Sequence, residues 1–151
     1  MMNDKDYLQP AYRQNLSVTP TRSQILSLEA ATMKLPDEVR LEPEDFPTFH
    51  HFSEGVYLRE FHIKAGEYVV GKIHRHNHMA LMIKGRAKVV SEYGNEIMDA
   101  PFIWESQAGT KRAVLALTDC IFVTIHPTDE TDLKKIEEEV IAPNYAALEE
   151  D

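Results

Sequence analysis

The stretch 65-AGEYVVGKIHRHNHMALMIKGRAKV-89, Ala65 to Val89, decides how the rest of the chain is read. It is rich in strand-forming residues, is punctuated by Gly66, Gly71 and Gly85, and holds three of the seven histidines: His74, His76 and His78. On an extended strand, residues i, i+2 and i+4 share a face. A regular strand would therefore point the three imidazoles the same way. Same-face neighbours lie nearly 7 Å apart along a strand, about three times the length of a metal–imidazole bond. Two of the three can converge on one ion, and a third needs a bend or a turn after Asn77. The other reading of the same residues is a polar strip at a barrel mouth with no metal.

Outward from this stretch, the pattern predicts about eight short strands bounded by turn residues, which argues for an antiparallel sandwich or barrel. "GVYLREFHI" alternates, with Val56, Leu58, Glu60 and His62 on one face and Tyr57, Arg59, Phe61 and Ile63 on the other. "YVVGKIHRH" reads as one strand, followed by "ALMIKG" and "RAKVVSEY". "YGNE" is a hairpin turn. "EIMDA", "FIWES", "KRAVLAL" and "CIFVTIH" complete the set. On either side the character changes. Residues 1 to about 18 are polar and read as an irregular arm. A helix is expected at about 21–34, capped by Thr19 or Thr21, with Ile25, Leu28, Thr32 and Leu35 on its packed face. Pro36, Pro43 and Pro47 make 36–55 a connecting arm. A second helix, capped by Asp129 or Thr131, carries Leu133, Ile136 and Val140 and ends at Pro143. The organisation is thus an N-terminal arm over 1–55, a β-domain over 56–127, and a C-terminal helix with an acidic tail over 128–151.

Bulk properties narrow the function. The chain has 151 residues, enough for one domain with a real core, and 43% of them are hydrophobic. Its net charge is −9, from 25 acids against 16 bases, so nucleic acid is not an expected partner. The acids crowd into "PTDETDLKKIEEEV" and the last three residues, which leaves room for a local basic pocket. The first residues contain no apolar signal core, and no run is long enough to span a bilayer. A soluble cytoplasmic protein is expected. The single cysteine, Cys120, cannot form an internal disulfide and sits in an apolar strand, where cysteine behaves as a small hydrophobe. Gly-x-Ser-x-Gly, phosphate-loop and Cys-x-x-Cys patterns are missing, which removes serine hydrolase, nucleotide hydrolase and zinc-ribbon readings.

The stretch from Ala65 to Val89 resembles the first motif of the cupins, a superfamily of RmlC-like jelly rolls. His74 and His76 match its His-x-His pair, and Gly85 matches its closing glycine. The family's glutamate position falls on His78, and the interval is two residues short. The second motif corresponds to "DAPFIWESQAGTKRAVLAL", where Gly109 matches the glycine and the histidine position holds Arg112. Arginine is always cationic and cannot ligate a metal. The resemblance spans about Val56 to Ile125. It implies a mainly β chain with a single small antiparallel barrel or jelly roll. "APFIW", "AGTKRAV" and "TIHPTDETDL" are also similar to small uncharacterised cupin-like proteins of tailed phages and prophages. That implies a viral origin, and for a phage protein the host cytoplasm, but no reaction.

Arg112 takes the place of a ligand histidine and is expected to point into the cavity. A buried guanidinium must be paired, either with Glu60 on another strand or with an anionic ligand. Lys111 is expected to face the opposite way. His62, which shares a face with Glu60, and His126, at the end of the last strand, are candidates to line the same cavity. Trp104 either stacks on a ligand or packs in the core. His50 and His51, beside Phe49 and Phe52, read as packing or interface residues. Two functions follow. The favoured one is a phage binding or accessory module, in which Arg112 anchors a small anion and no catalytic metal is present. The other is a metal-dependent oxygenase or isomerase with Zn, Fe, Ni or Mn on His74, His76 and His78. The cupin resemblance implies pairing through exposed strands and arms, which the long N-terminal extension would suit, so a homodimer is expected in either case.

Overall fold

The structure is a computed structural model, and it describes residues 12–15 and 19–149. Two five-stranded antiparallel sheets face each other and do not close into a barrel, as in a jelly roll. In chain order the strands are β1 (Tyr12–Asn15), β2 (Thr48–Ser53), β3 (Val56–Ile63), β4 (Tyr68–Val70), β5 (Ile73–His74), β6 (His78–Lys84), β7 (Arg86–Ser91), β8 (Gly94–Asp99), β9 (Phe102–Ser106), β10 (Ala113–Ala116), β11 (Cys120–Pro127) and β12 (Ile141–Ala142). The helices are α1 (Arg22–Met33), α2 (Leu133–Val140) and the short α3 (Ala146–Glu149). One sheet runs β1-β8-β7-β10-β4 and the other β2-β3-β11-β6-β9, while β12 pairs only with β5.

Between the sheets, one end is filled by Ile63, Met82, Ala87, Met98, Phe102, Ala116 and Cys120, all buried. Gly85 makes the sharp β6–β7 connection with φ of 95°, and a Cβ there would lie 2.2 Å from the Asp119 carbonyl oxygen. Only glycine fits that turn. Cys120 is buried, as its apolar strand implies.

Helix α1 starts where the sequence places it. Thr21 caps it, with Gln24 completing a capping box. Ile25 and Thr32 face inward. Ile25 packs with Val70 and Ala113, and the Thr32 hydroxyl meets the Tyr68 hydroxyl at 2.7 Å. Leu28 and Leu35 remain more than a third exposed. Lys111 turns to this outer side and pairs with Glu29 at 2.7 Å, opposite to Arg112.

Several local expectations are corrected. "YVVGKIHRH" is not one strand but β4 and β5, interrupted at Gly71 and followed by a bend at Arg75–His76. The 36–55 segment contains β2, whose "TFHHFS" lacks the alternation that would reveal a strand. Residues 12–15, read as irregular, pair with β8; the rest of the 1–18 reading and the final two acids lie outside the described residues. Asp132, rather than Asp129 or Thr131, caps α2, accepting from the Lys134 and Lys135 amides. The chain leaves α2 at Ile141 by pairing with β5, before Pro143 is reached. No described helix is long and apolar enough to cross a membrane.

Candidate metal centre and cavity

The other end of the sandwich is open and encloses a cavity of about 420 Å³. Its floor is the apolar core top, including Val69, Val89, Val114 and Phe122. Its roof is Leu133, Ile136 and Val140 of α2, the stripe visible in the sequence, with Lys72 tying Glu44 to Glu137 at the rim.

Three histidines converge in its wall. His74, His78 and His126 each offer a ring nitrogen, and these atoms all lie within 4.8 Å of one another. The ring centroids are 4.3 Å apart for His74 and His78, 4.8 Å for His78 and His126, and 5.5 Å for His74 and His126. His78 and His126 meet because β6 and β11 are neighbours, with Met79 opposite Ile125. His74 reaches them because the chain bends between it and His78. That bend is held on both sides. The Arg75 amide donates to the Val140 carbonyl and its Nε to the Ile141 carbonyl at 3.1 Å. Asn77 Oδ1 accepts from the Ala108 amide at 2.8 Å, and Gly109 donates to the His74 carbonyl at 2.9 Å.

The bend removes His76 from the group. With two-residue alternation broken at Arg75–His76, the His76 side chain is exposed and its carbonyl faces His78 Nδ1 at 3.4 Å. The third imidazole is His126, which the sequence marked only as a possible cavity residue.

Glu60 and His62 are also placed elsewhere. The β3 face that turns inward is Tyr57, Arg59 and Phe61. Glu60 and His62 share the outer face, where Glu60 accepts from His62 at 2.6 Å and meets His51 at 3.1 Å. Alternation separates the two faces of a strand but does not say which one the opposing sheet covers. The bulk of Tyr57, Phe61 and Ile63 was the available signal, and Arg59 goes inward with them. An Arg112–Glu60 bridge is therefore ruled out by the fold. Arg112 does line the cavity, and its Nη1 donates to the Ser106 hydroxyl at 2.7 Å. Arg59 lies over the Phe61 ring, 4.9 Å from its centroid. Trp104 packs on Phe102 and lines the cavity at the same time. His50 lines the cavity beside Tyr57, 2.7 Å from its hydroxyl, whereas His51 faces out.

The electrostatics suit metal ligation. Burial first, then the repulsion His78 and His126 exert once protonated, then Arg59 and Arg112, push His74 down to about 2. Burial first, then His78 and Arg59, take His126 to about 4. His78 is lowered by burial and by Arg112, partly offset by the His76 carbonyl. At neutral pH all three imidazoles are uncharged, the form that binds a metal. Burial lowers both cavity arginines as well, yet a guanidinium stays cationic.

The fold is shared with solved structures. Ectoine synthase from P. lautus superposes with a TM-score of 0.51 at 16% identity, covering 66% of this chain and 75% of the other. A cupin superfamily protein from Desulfitobacterium hafniense DCB-2 gives 0.48 at 16% identity, covering 63% and 95%. KdgF from Halomonas sp. gives 0.48 at 12% identity, covering 58% and 81%. No protein-family model matches the chain, and no curated protein matches it. At these identities the likeness is one of fold, a cupin-type jelly roll.

Proposed function

We propose that the protein is a metal-dependent cupin-type enzyme acting on a small anionic molecule. The reading rests on the half-buried imidazole of His74 and the buried imidazoles of His78 and His126, with ligand atoms within 4.8 Å of one another. Three protein nitrogens, with no fourth histidine, cysteine or carboxylate grouped with them among the described residues, match the donor set of catalytic rather than structural metal sites. Zn, Fe, Ni and Mn all suit imidazole ligands. A dication held there would act as a Lewis acid on a ligand oxygen at its open positions. Arg112, fixed by Ser106 beside the imidazoles, would orient the anionic group of that ligand. The apolar floor and the α2 roof would limit water around it.

This reverses the preference drawn from the sequence, which counted two changed ligand positions. His126 replaces one of the lost ligands from a strand outside both motifs. A phage or prophage source and a cytoplasmic location rest on the sequence resemblance and composition. A homodimer belongs to the same proposal, supported by the exposed apolar residues Met79, Ile83 and Ile103 on one sheet face.

The test is metal content, by elemental analysis, of protein purified without a histidine tag. About one transition-metal ion per chain is expected, lost in His74→Ala and His126→Ala but kept in His76→Ala. A metal-free wild type, or a metal that leaves with His76 and stays without His126, rejects this centre.

A further inference from the structure

We infer that the anion this cavity takes is two-ended, a short chain with a carboxylate or similar group at each end, one end held by Arg112 and the other by Arg59. The inference deepens the proposed small-anion reading of the same cavity.

The placement of the two guanidinia is set by strand register. Across the inner face of the β2-β3-β11-β6-β9 sheet, Arg59 on β3 lies opposite Thr124, and Tyr57 lies opposite His126 on β11. His78 on β6 lies opposite Ser106 on β9, and Ser106 holds Arg112. The order across the sheet is therefore Arg59, His126, His78, Ser106 with Arg112. The histidine group sits between the two arginines. Strands are about 4.8 Å apart, so the β3 and β9 backbones are separated by roughly 14 Å. Arg59 reaches inward from β3, whereas Arg112 comes from beside β10 in the facing sheet and ends at Ser106 on β9. One compact group cannot satisfy both arginines and the imidazoles between them, whereas a chain of a few carbons can.

The charge balance points the same way. Neither guanidinium has a carboxylate of a described residue within 4.0 Å. The cavity lining carries three cations, Arg59, Arg112 and Lys72, against two carboxylates, Glu44 and Glu137, and both carboxylates are already taken by Lys72. Among the described residues neither guanidinium has an ion-pair partner in contact: the buried Glu96 favours the Arg112 charge, and Glu44 and Glu137 that of Arg59, only from beyond 4.0 Å, so a ligand carboxylate is the contact partner each still lacks. A dication on the imidazoles adds to the excess. Guanidinium forks fit carboxylates bidentately, so each arginine selects one end group.

Trp104 is the chain's one tryptophan and lines the cavity, so its fluorescence reports occupancy directly. The experiment titrates glutarate, butyrate, glutaramide and inorganic phosphate into metal-loaded and metal-stripped protein, followed by Trp104 emission and calorimetry. Glutarate is expected to bind at least about tenfold tighter than each of the other three, on the scale of one lost charge-assisted contact. Arg59→Gln and Arg112→Gln should each remove that advantage while metal content is kept. Equal binding of butyrate or phosphate, or an undiminished preference in Arg59→Gln, overturns the inference. The ligand series on the unsubstituted protein decides the matter even if a variant does not fold. A glutarate preference in protein that never binds metal would sink the metal centre and leave this inference standing. A metal-loaded protein with no glutarate preference would do the reverse.

Discussion

His74 and His126 link the candidate centre to stability. Unfolded, an imidazole titrates near about 6.5; folded, burial and mutual repulsion place His74 at about 2 and His126 at about 4. Across that window the unfolded chain binds more protons, so stability rises with pH. Their contribution is complete above about pH 6.5 and is lost as pH falls through the folded values. Metal-free protein should therefore show a falling thermal midpoint from about pH 6.5 to 4. A His74→Leu variant, with an apolar group in place of an imidazole, should show a flatter profile in the same calorimetric series. Parallel profiles would mean that His74 is not buried as described. Of these residues, His74 and His78 were legible from the histidine-rich stretch in which they occur. His126 was marked only as a possible cavity residue and Arg59 was given no site role, because their positions depend on partners about 50 and 15 residues along the chain.

At the scale of elements, α2 and β12 complete the cavity. Ile136 is 2% exposed and forms part of the roof, and Ile141 pairs with His74 along β12. Truncating Ile136 to alanine should cost about 3 kcal/mol, since a large buried side chain leaves a hole its neighbours only partly fill. It should also shift Trp104 emission to the red as water enters. Urea denaturation and the emission maximum together check this. A loss of stability without a spectral shift would place Ile136 in packing remote from the cavity wall. The helix itself was legible, because Leu133, Ile136 and Val140 recur at helical spacing. Its continuation into β12 was not. Two residues carry no periodicity, and β12 exists only because the β5 edge lies beside it. β2 was hidden for a related reason: the prolines before it mark a connector, and its aromatic and histidine run fits both faces of a strand.

For the whole molecule, the unanswered surface is the outer face of the β2-β3-β11-β6-β9 sheet. Met79, Ile83 and Ile103 lie there at 40%, 50% and 42% exposure, with Phe49 at 50% towards the opposite edge. The Met79, Ile83 and Ile103 side chains on the neighbouring strands β6 and β9 favour association. The protein should run as a dimer in light-scattering chromatography, and Ile83→Glu with Ile103→Glu should return it to monomer without loss of metal. A monomeric wild type rejects that dimer. The sequence by itself determined the succession of short strands, the glycine turns between them, the helices at either end and the short histidine-rich stretch that holds His74 and His78. These follow from local periodicity and turn chemistry, which act within a few residues. The tertiary structure alone decided that His126 joins them while His76 leaves, that Arg59 faces in while Glu60 faces out, and that Arg59 and Arg112 line one cavity. Those outcomes depend on strand register and on which face the opposite sheet covers, and both are set by contacts between residues far apart in the chain.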